Sequence, residues 1–507
     1  MSEEGDARRL LIEQGDALEA AGDWRGAVAV WSNLRRGGEL DFWAYYRRGL
    51  AHYALADLDA ALDDLGRAVA LNPLHPACQR MYVLCLTRKG RIDRSLHDGS
   101  VSFDAVHPIV GEYLGYIRQL MTYEGGAQIL ADSVQAQCIA ADSVVYDVGE
   151  HDGLVSAVLN ASLTNVAAGG DWDVPGRRVE EFHVYEAIKA VLFNRSARWE
   201  ETEFYRENVA RIHAGDHVWN CTSVEQFAHR LNFELLDLRD KLRANGIRRQ
   251  IEIGGWDPID DIRLGIARDG RLIFLNGQHR LAMAKLMHAE RIPVQIVLRH
   301  RDWHALRADI ERYAADHGGA VYQQIPHPDL IHLPAFHKLD RLRAITEKLH
   351  EKLPPGARVL DIGSHWGAAA TMAAEAGFAV TAVEMNPEFL PFLRGLTAGD
   401  DRIEVWEGSI FDFDRLDAFD AVIAQNIFHH FLRTEETFAR FKQLLGRLPK
   451  GLLLLQTHNP GTVDHGQAFH ADMSVQAFLQ FVIDHSAYEN SELIFVEEDG
   501  RPIYALT

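Results

Sequence analysis

Cysteine is scarce in this sequence, and long apolar runs are missing. The 507 residues include four cysteines that form no Cys-x-x-Cys pair: Cys78, Cys85, Cys138 and Cys221. This scarcity argues against a disulfide framework and against a cysteine zinc site. No run approaches the roughly 18 apolar residues of a membrane span, and the acidic start MSEEGDARRLL has no signal-peptide core. We therefore expect reduced, buried cysteines in a soluble, cytoplasmic protein.

Positive charge is also in short supply. The sequence has 52 basic and 73 acidic residues, a net charge of -21, which repels phosphate backbones and disfavours nucleic acid as the main partner. One stretch in the C-terminal part contains His458, Asp464, His465 and His470. Its spacing matches no metal-ligand pattern, so we predict no metal site.

What the sequence does contain begins with an internal repeat, in a chain long enough for three or four domains. Gly15 recurs as Gly49 and Ala27 recurs as Ala61, each pair 34 residues apart. The full pattern in two units is Gly15, Gly22, Ala27 and Trp31, then Tyr45, Gly49, Ala61, Leu65, Ala68 and Pro73. A weaker third unit has Gly90 in phase. This pattern resembles the tetratricopeptide repeat, which implies helical hairpins over residues 6–108. Their role stays open between docking a protein partner and packing or dimerisation, which would make a homo-oligomer.

Residues 109–200 form a connecting region to which we assign neither a fold nor a function. The next segment, 201–305, starts with helical spacing, including a helix opened by Thr222 and Ser223 and closed by Gly246.

Residues 260–300 then alternate strand, Asp269-Gly270 turn, strand, glycine corner, helix and strand. The corner NGQHR places backbone amides of a helix start beside Arg280, a good anion site. It resembles the ParB and sulfiredoxin superfamily, an α+β fold whose Gly-x-x-Arg motif contacts nucleotide phosphates. The resemblance implies that CTP or ATP would lie against Gly277, Gln278, His279 and Arg280. Ala282 replaces a second arginine of partition proteins, which argues against that role. The alternative is a fold that no longer binds nucleotide, with Arg280 paired to a carboxylate.

The C-terminal part, residues 340–507, alternates strands and helices, which predicts a parallel sheet with helices on both faces. Five strands are followed by two more joined at Asp499-Gly500, a tight hairpin signal. Five parallel strands with a terminal hairpin resemble the Rossmann-like class I S-adenosylmethionine-dependent methyltransferases. The whole chain is therefore predicted to be a multidomain α/β protein.

The first turn of this part, DIGSHWG, agrees with that chemistry. Gly363 and Gly367 let the backbone approach a ligand, and the following helix start favours a carboxylate. Glu384, 21 residues after Gly363, is placed to accept ribose hydroxyls. A dehydrogenase shares this much, but its Gly-x-Gly-x-x-Gly loop would have its second glycine at His365. Asp361 completes three of the four fixed places of the methyltransferase loop. We expect the His365 side chain to turn outward.

The resemblance implies further cofactor contacts. They are Ser364 in the loop, Met385 on the adenine face, Ser409 where the family has aspartate, Ile410, and Gln425 with Asn426 after the fourth strand. His429 or His430 would face the substrate as a catalytic base, since histidine titrates near working pH; the alternative is a capping or wall-filling role.

Together these features predict a methyltransferase that acts on a small molecule, a glycan or a nucleotide-sugar-type substrate. Two alternatives stay open. The first is a nucleotide-dependent kinase or phosphotransferase working through the ParB-like domain. The second is a non-catalytic scaffold.

Overall fold

The computed structural model describes residues 3–36, 39–73, 75–88, 115–117, 119–120, 122–130, 137–149, 153–160, 165–219, 221–248, 261–457 and 473–507. Two compact units divide the chain, Met1–His304 and Ala305–Thr507. The predicted third repeat at Gly90 and the histidines at 458–470 lie outside the described residues. Within the described ranges, no helix has both the length and the apolar character needed to cross a bilayer.

Helical hairpins open the first unit. The helices of this unit are α1 Glu3–Ala20, α2 Trp24–Trp31, α3 Phe42–Ala54, α4 Leu58–Leu71, α5 Pro76–Arg88, α6 Leu154–Asn160, α7 His183–Ile188, α8 Glu203–His213, α9 Val224–His229, α10 Leu235–Asn245 and α11 Gln278–Leu286. Asp23 and Asp57, 34 residues apart, cap α2 and α4 by accepting from a backbone amide three residues on. A Cβ on Gly15 would come within 2.3 Å of the Trp31 ring, so the repeated glycine lets α1 and α2 approach.

A mixed sheet follows in the same unit. Its strands, with the two-stranded β1–β2 ribbon before it, are β1 Arg35–Arg36, β2 Glu39–Leu40, β3 Ala127–Ile129, β4 Gln137–Ile139, β5 Tyr146–Val148, β6 Val166–Ala168, β7 Pro175–Arg178, β8 Ile262–Ile266, β9 Leu272–Asn276 and β10 Ile292–His300. The order is β3-β6-β10-β8-β9-β5-β7, with β4 on β10. Short turns add 3-10 helices at Ala141–Ser143, Val179–Glu181 and Trp199–Glu201, and π-helices at Lys189–Phe193 and Arg230–Glu234. The predicted succession of strand, turn, strand, corner, helix and strand over 260–300 is confirmed for the described residues.

The second unit contains one seven-stranded sheet and one two-stranded sheet. The strands of the unit are β11 Val321–Gln323, β12 Ala335–His337, β13 Arg358–Ile362, β14 Ala379–Glu384, β15 Ile403–Glu407, β16 Ala421–Gln425, β17 Leu452–Gln456, β18 Ser491–Val496 and β19 Pro502–Leu506. The sheet order is β15-β14-β13-β16-β17-β19-β18, and β11 pairs separately with β12. Strands β13 to β17 are parallel, while β19 runs antiparallel to both neighbours. The predicted five parallel strands and terminal hairpin are therefore confirmed.

Helices cover both faces of this sheet. They are α12 Arg301–Asp316, which starts in the first unit, α13 Asp340–Lys352, α14 Ala368–Glu375, α15 Leu390–Thr397, α16 Glu435–Leu445 and α17 Val475–Asp484, with 3-10 turns at Ile410–Asp412, Leu416–Ala418 and Phe428–Leu432. The strand period of two divides the core: Leu453 and Leu455 join one apolar cluster, and Leu452 and Leu454 the other. Both faces of the sheet are thus buried. The surface available to a ligand is therefore the edge where the parallel strands end.

Candidate functional site

The turn between β13 and α14 is held in left-handed backbone at three positions. Gly363 has φ +72° and Gly367 has φ +82°. A Cβ on Gly363 would come within 2.9 Å of the Ile427 side chain, and one on Gly367 within 2.7 Å of Leu393. Both glycines are required by their conformation and by these neighbours. The turn therefore exposes backbone at the carboxyl edge of the sheet.

His365 is the third left-handed residue, with φ +53°, a conformation that histidine adopts more readily than most residues. Its ring centroid lies 4.1 Å from that of Phe389 and 5.3 Å from that of Tyr322. The side chain lines the cavity at the strand ends, so the expected outward orientation is wrong. The ring packs against Phe389 and Tyr322, and burial lowers the pKa of His365 to about 4.

Glu384 ends β14 beside this turn and is 7% exposed. Its carboxylate accepts three backbone hydrogen bonds. They come from His365 (2.8 Å), Met385 (2.9 Å) and Asn386 (2.8 Å). Two go to Oε1 and one to Oε2, and a carboxylate has about four acceptor sites. Glu384 thus fixes the turn and keeps acceptor capacity for a ligand.

The cavity at this edge collects five of the twelve residues that the sequence predicted for cofactor binding and catalysis, and adds others. The predicted residues that line it are Asp361, Gly363, Ser364, Gln425 and Asn426. Among the described lining residues, Gly367, Glu384, Met385, Ser409, Ile410, His429 and His430 are not included.

Three oxygens at the cavity are buried and have no hydrogen-bond partner among the described residues: Asp361 Oδ2, Gln425 Oε1 and Asn426 Oδ1. Burial raises the pKa of Asp361 to about 7, with the nearby charge of Glu384 adding to the shift. Unsatisfied buried acceptors carry a free-energy cost that a ligand donor would relieve.

The wall opposite the turn comes from residues that sequence reasoning missed: Tyr322, Gln323 and Arg341. Arg341 is 4% exposed. Its Nε donates to Gln323 Oε1 at 2.9 Å and its Nη1 to Gln456 Oε1 at 3.0 Å. Asn426 Nδ2 donates to the Tyr322 hydroxyl at 3.1 Å. In the sequence, Arg341 is one of two arginines at the start of an amphipathic helix. That pattern does not show that Arg341 is buried, nor what its partners are.

Glu497 anchors the far side of Arg341. The two side chains are 3.4 Å apart, and His337 Nδ1 lies 3.2 Å from the same carboxylate. Burial opposes ionisation, but the hydrogen bond from His337 and the charges of Arg341 and Arg501 lower the pKa of Glu497 to about 2. Arg341 therefore stands as a fixed, buried cation at the cavity wall.

The predicted adenine contacts lie further along the same edge. Met385 is 64% exposed and Ile410 is buried. Ser409 caps the turn Ile410–Asp412 by accepting from the Phe411 amide at 3.3 Å, and the Asp412 carboxylate pairs with Arg440. Ser409 thus shapes this turn through its side chain, while Met385 offers an apolar surface to solvent.

His429 and His430 lie on the 3-10 turn Phe428–Leu432, with ring centroids 4.1 Å apart. His429 is 7% exposed and His430 half-buried. After β16, the described residues that line the cavity are Gln425 and Asn426, and neither histidine is among them. A catalytic role for either histidine stays a prediction.

The predicted phosphate corner of the first unit has the expected backbone, with Gly277 at φ +95° before α11. Gln278 lines a cavity of about 800 Å³. His279, however, packs its ring 4.3 Å from Trp219, and burial lowers its pKa to about 4. Arg280 is buried and donates to the Arg248 carbonyl at 3.2 Å. The corner therefore brings only Gln278 of the four predicted residues to the cavity that the described residues line.

One trio of potential metal ligands occurs in the described parts of the chain: His337, Glu497 and Asp499, with ligand atoms within 4.8 Å of one another. Arg501 Nη2 lies 2.7 Å from Asp499 and 3.0 Å from His337 Nε2. Its guanidinium already supplies the positive charge that these groups share.

Comparison with known proteins finds a family match for most of the second unit. Residues 335–492 match the family model described as a methyltransferase domain, so the second unit contains a methyltransferase domain. No curated protein matches the chain.

Similar folds occur among solved structures. Monomeric WbdD is 22% identical, with 39% of this chain and 48% of that chain covered and a TM-score of 0.32. The methyltransferase domain of bacterial CtHen1 is 16% identical (33% and 98% covered, TM-score 0.27). The 1,6-didemethyltoxoflavin-N1-methyltransferase of Burkholderia thailandensis, with bound S-adenosylhomocysteine, is 20% identical (33% and 76% covered, TM-score 0.27). This chain spans about half the length of WbdD.

Proposed function

We propose that the second unit binds S-adenosylmethionine and transfers its methyl group to a small molecule, a glycan or a nucleotide-sugar-type acceptor. The observation that carries this proposal is the set of three unpartnered, buried oxygens on Asp361, Gln425 and Asn426 around one cavity. Such acceptors favour a ligand that brings hydrogen-bond donors and positive charge. The ammonium and the sulfonium of this cofactor are groups of that kind.

The same observation argues against a dinucleotide. A pyrophosphate carries negative charge and is repelled by carboxylates close to it. At the β13–α14 turn it would meet the Asp361 carboxyl, and the turn is tied to a second carboxylate, Glu384. The left-handed His365 also stands where the dinucleotide loop has glycine. The chemistry of the wall therefore supports the sulfonium cofactor over its competitor.

Other residues have complementary roles in this proposal. Glu384, with one acceptor site still available on Oε2, receives ribose hydroxyls. Met385 and Ile410 supply apolar surface for the base, and Ser409 holds the turn that carries Ile410. Arg341 gives a positive charge to the wall that faces the turn.

The sulfonium of the bound cofactor supplies an activated methyl group. What the protein must add is alignment of the acceptor with that group and exclusion of water, rather than a strong base. Asn426 and Tyr322, hydrogen-bonded to each other at the cavity, are placed to orient an acceptor. Of the two predicted bases, we favour His430, because His429 is the more buried. The helical hairpins α1–α5 are proposed as the surface for a protein partner or a second copy.

Calorimetry with S-adenosylhomocysteine tests the proposal. We expect wild-type protein to bind it, and the Glu384→Ala variant to lose at least tenfold in affinity. ATP and CTP serve as comparison ligands. Nucleotide binding that Arg280→Ala abolishes, with no binding of S-adenosylhomocysteine, would overturn the proposal in favour of the phosphotransferase alternative.

A further inference from the structure

Two ring nitrogens in the β13–α14 turn are buried and lack a hydrogen-bond partner among the described residues. They are His365 Nδ1 and Trp366 Nε1. Trp366 is 4% exposed, and both residues line the same cavity as the three unpartnered oxygens. An indole N–H can only donate, and a neutral imidazole donates from one nitrogen. The turn therefore holds two potential donors that the described protein does not use.

The surroundings of these rings explain why the nitrogens are unpartnered. Trp366 lies between Tyr313 and Phe392, with ring centroids 4.9 Å and 4.5 Å away. His365 lies against Phe389 and Tyr322. Aromatic faces fill the space but offer no acceptor comparable to an oxygen. Most buried donors in native proteins are satisfied, so this pair calls for an acceptor from outside the protein.

The rings are also held in place before any ligand arrives. The amide of His365 is bonded to Glu384, and its ring packs against those of Phe389 and Tyr322. Trp366 directly precedes Gly367, whose amide donates to the Ser364 carbonyl at 2.8 Å. Fixed donors lose little conformational entropy when they bind.

We propose that His365 and Trp366 determine cofactor specificity by donating their ring N–H groups to the carboxylate of its amino-acid head. This inference rests on the proposed function. Donors on these two rings, with the buried Arg341 cation on the facing wall, complement a carboxylate. Acceptors on Asp361 and Gln425 complement an ammonium. The cavity therefore recognises a zwitterion, and His365 occupies the tautomer with its proton on Nδ1.

The test compares two probes that differ in this head: S-adenosylhomocysteine, which has it, and 5′-methylthioadenosine, which does not. Trp366→Phe removes the N–H and keeps an aromatic ring. We expect about a tenfold or greater loss of affinity for S-adenosylhomocysteine, because the lost bond is to a charged group, and less than a twofold change for 5′-methylthioadenosine. The second probe is the control for fold and for the nucleoside site. His365→Gly, which relieves the left-handed backbone, is expected to lose affinity for the first probe alone.

Nuclear magnetic resonance gives an independent readout. The indole N–H signal of Trp366, assigned by its disappearance in Trp366→Phe, should move downfield with S-adenosylhomocysteine and stay in place with 5′-methylthioadenosine. Equal affinity of wild type and both variants for S-adenosylhomocysteine, with an unmoved indole signal, would overturn this inference and leave the proposed function standing. No binding of either probe to wild type would overturn both.

Discussion

The backbone amide of His365 donates a 2.8 Å hydrogen bond to the side-chain carboxylate of Glu384. The bond joins the turn after β13 to the end of β14, so the acidic residue proposed to bind a ribose also holds the loop proposed to face the rest of the cofactor. Loss of this carboxylate should therefore affect both folding and binding.

Glu384→Gln should lower the free energy of unfolding by about 1–3 kcal/mol, because one oxygen that accepts amide hydrogen bonds becomes a donor in a buried site. Affinity for S-adenosylhomocysteine should fall at least tenfold. Thermal unfolding and calorimetry measure the two effects. Glu388→Gln, four residues along and exposed, is the matched control and should change neither. A variant that binds poorly but unfolds like wild type would show that the carboxylate serves the ligand alone.

Cofactor affinity should depend on pH through Asp361. Its pKa is raised by burial to about 7, so below pH 7 the carboxyl is mainly neutral, and a cationic ligand favours its ionised form. Affinity should rise as pH increases from 5 to 7, by at most about tenfold per pH unit for one released proton, and then level off. Calorimetry in buffers of different ionisation enthalpy counts the proton, and Asp361→Asn should remove the dependence. Proton uptake on binding would contradict this prediction.

The same group makes a prediction about stability. The folded-state pKa of Asp361 lies above its ordinary value of 3.8, so its contribution to stability is lost as pH rises from about 4 to 7. At pH 8, Asp361→Asn should therefore unfold at a higher temperature than wild type when no ligand is present. Thermal scans at pH 5 and pH 8 should show that Asp361→Asn raises the unfolding temperature, relative to wild type, by more at pH 8 than at pH 5.

Arg341→Met should destabilise the second unit by about 3 kcal/mol, because it leaves the carboxylate of Glu497, whose side chain is 10% exposed, with fewer partners. The matched control is Arg343→Met on the same helix. Among the described residues, Arg343 forms an ion pair with the exposed Asp340, and its loss should cost less than about 1 kcal/mol. Denaturant unfolding monitors both. Adding Glu497→Gln to Arg341→Met should cost less than the sum of the single changes, and strict additivity would refute the pairing.

Acid should weaken the first unit through His279. Burial lowers its pKa to about 4, below the ordinary 6.5, so the unfolded chain binds a proton first and stability falls between pH 6.5 and 4. Replacing His279 with glutamine removes this pH-dependent loss of stability. The free energy of unfolding of wild type should therefore exceed that of His279→Gln by less as pH falls. Trp219 packs on His279, so its fluorescence reports local loss of structure. Subtracting the spectrum of the Trp219→Phe variant separates the Trp219 signal from those of the other tryptophans. A pH-independent difference would exclude titration of His279 as the cause.

The sequence allowed some of these features to be predicted, and the reason is local. Apolar runs and glycines with left-handed backbone leave a signal within a few residues, which is why the strand order and the Gly363 turn could be predicted. The wall at Arg341 could not, since its partners Gln456 and Glu497 lie 115 and 156 positions away. The direction of the His365 ring depends on its packing against Phe389 and Tyr322, which are distant in the sequence. His279 and Arg280 fit a phosphate motif by spacing, but burial decides where they point.

The parallel pair β11–β12 has a consequence for how this protein can be divided. Gln323, in β11, bonds to the His337 carbonyl and to Arg341, yet it precedes the family match that starts at residue 335. A fragment cut at that boundary would keep every residue that the sequence predicted for the methyltransferase site and lose the side chain that holds Arg341. The smallest portion worth expressing on its own is therefore the whole second unit, Ala305–Thr507, and shorter pieces should be judged by whether they retain Gln323 rather than by where the homology begins.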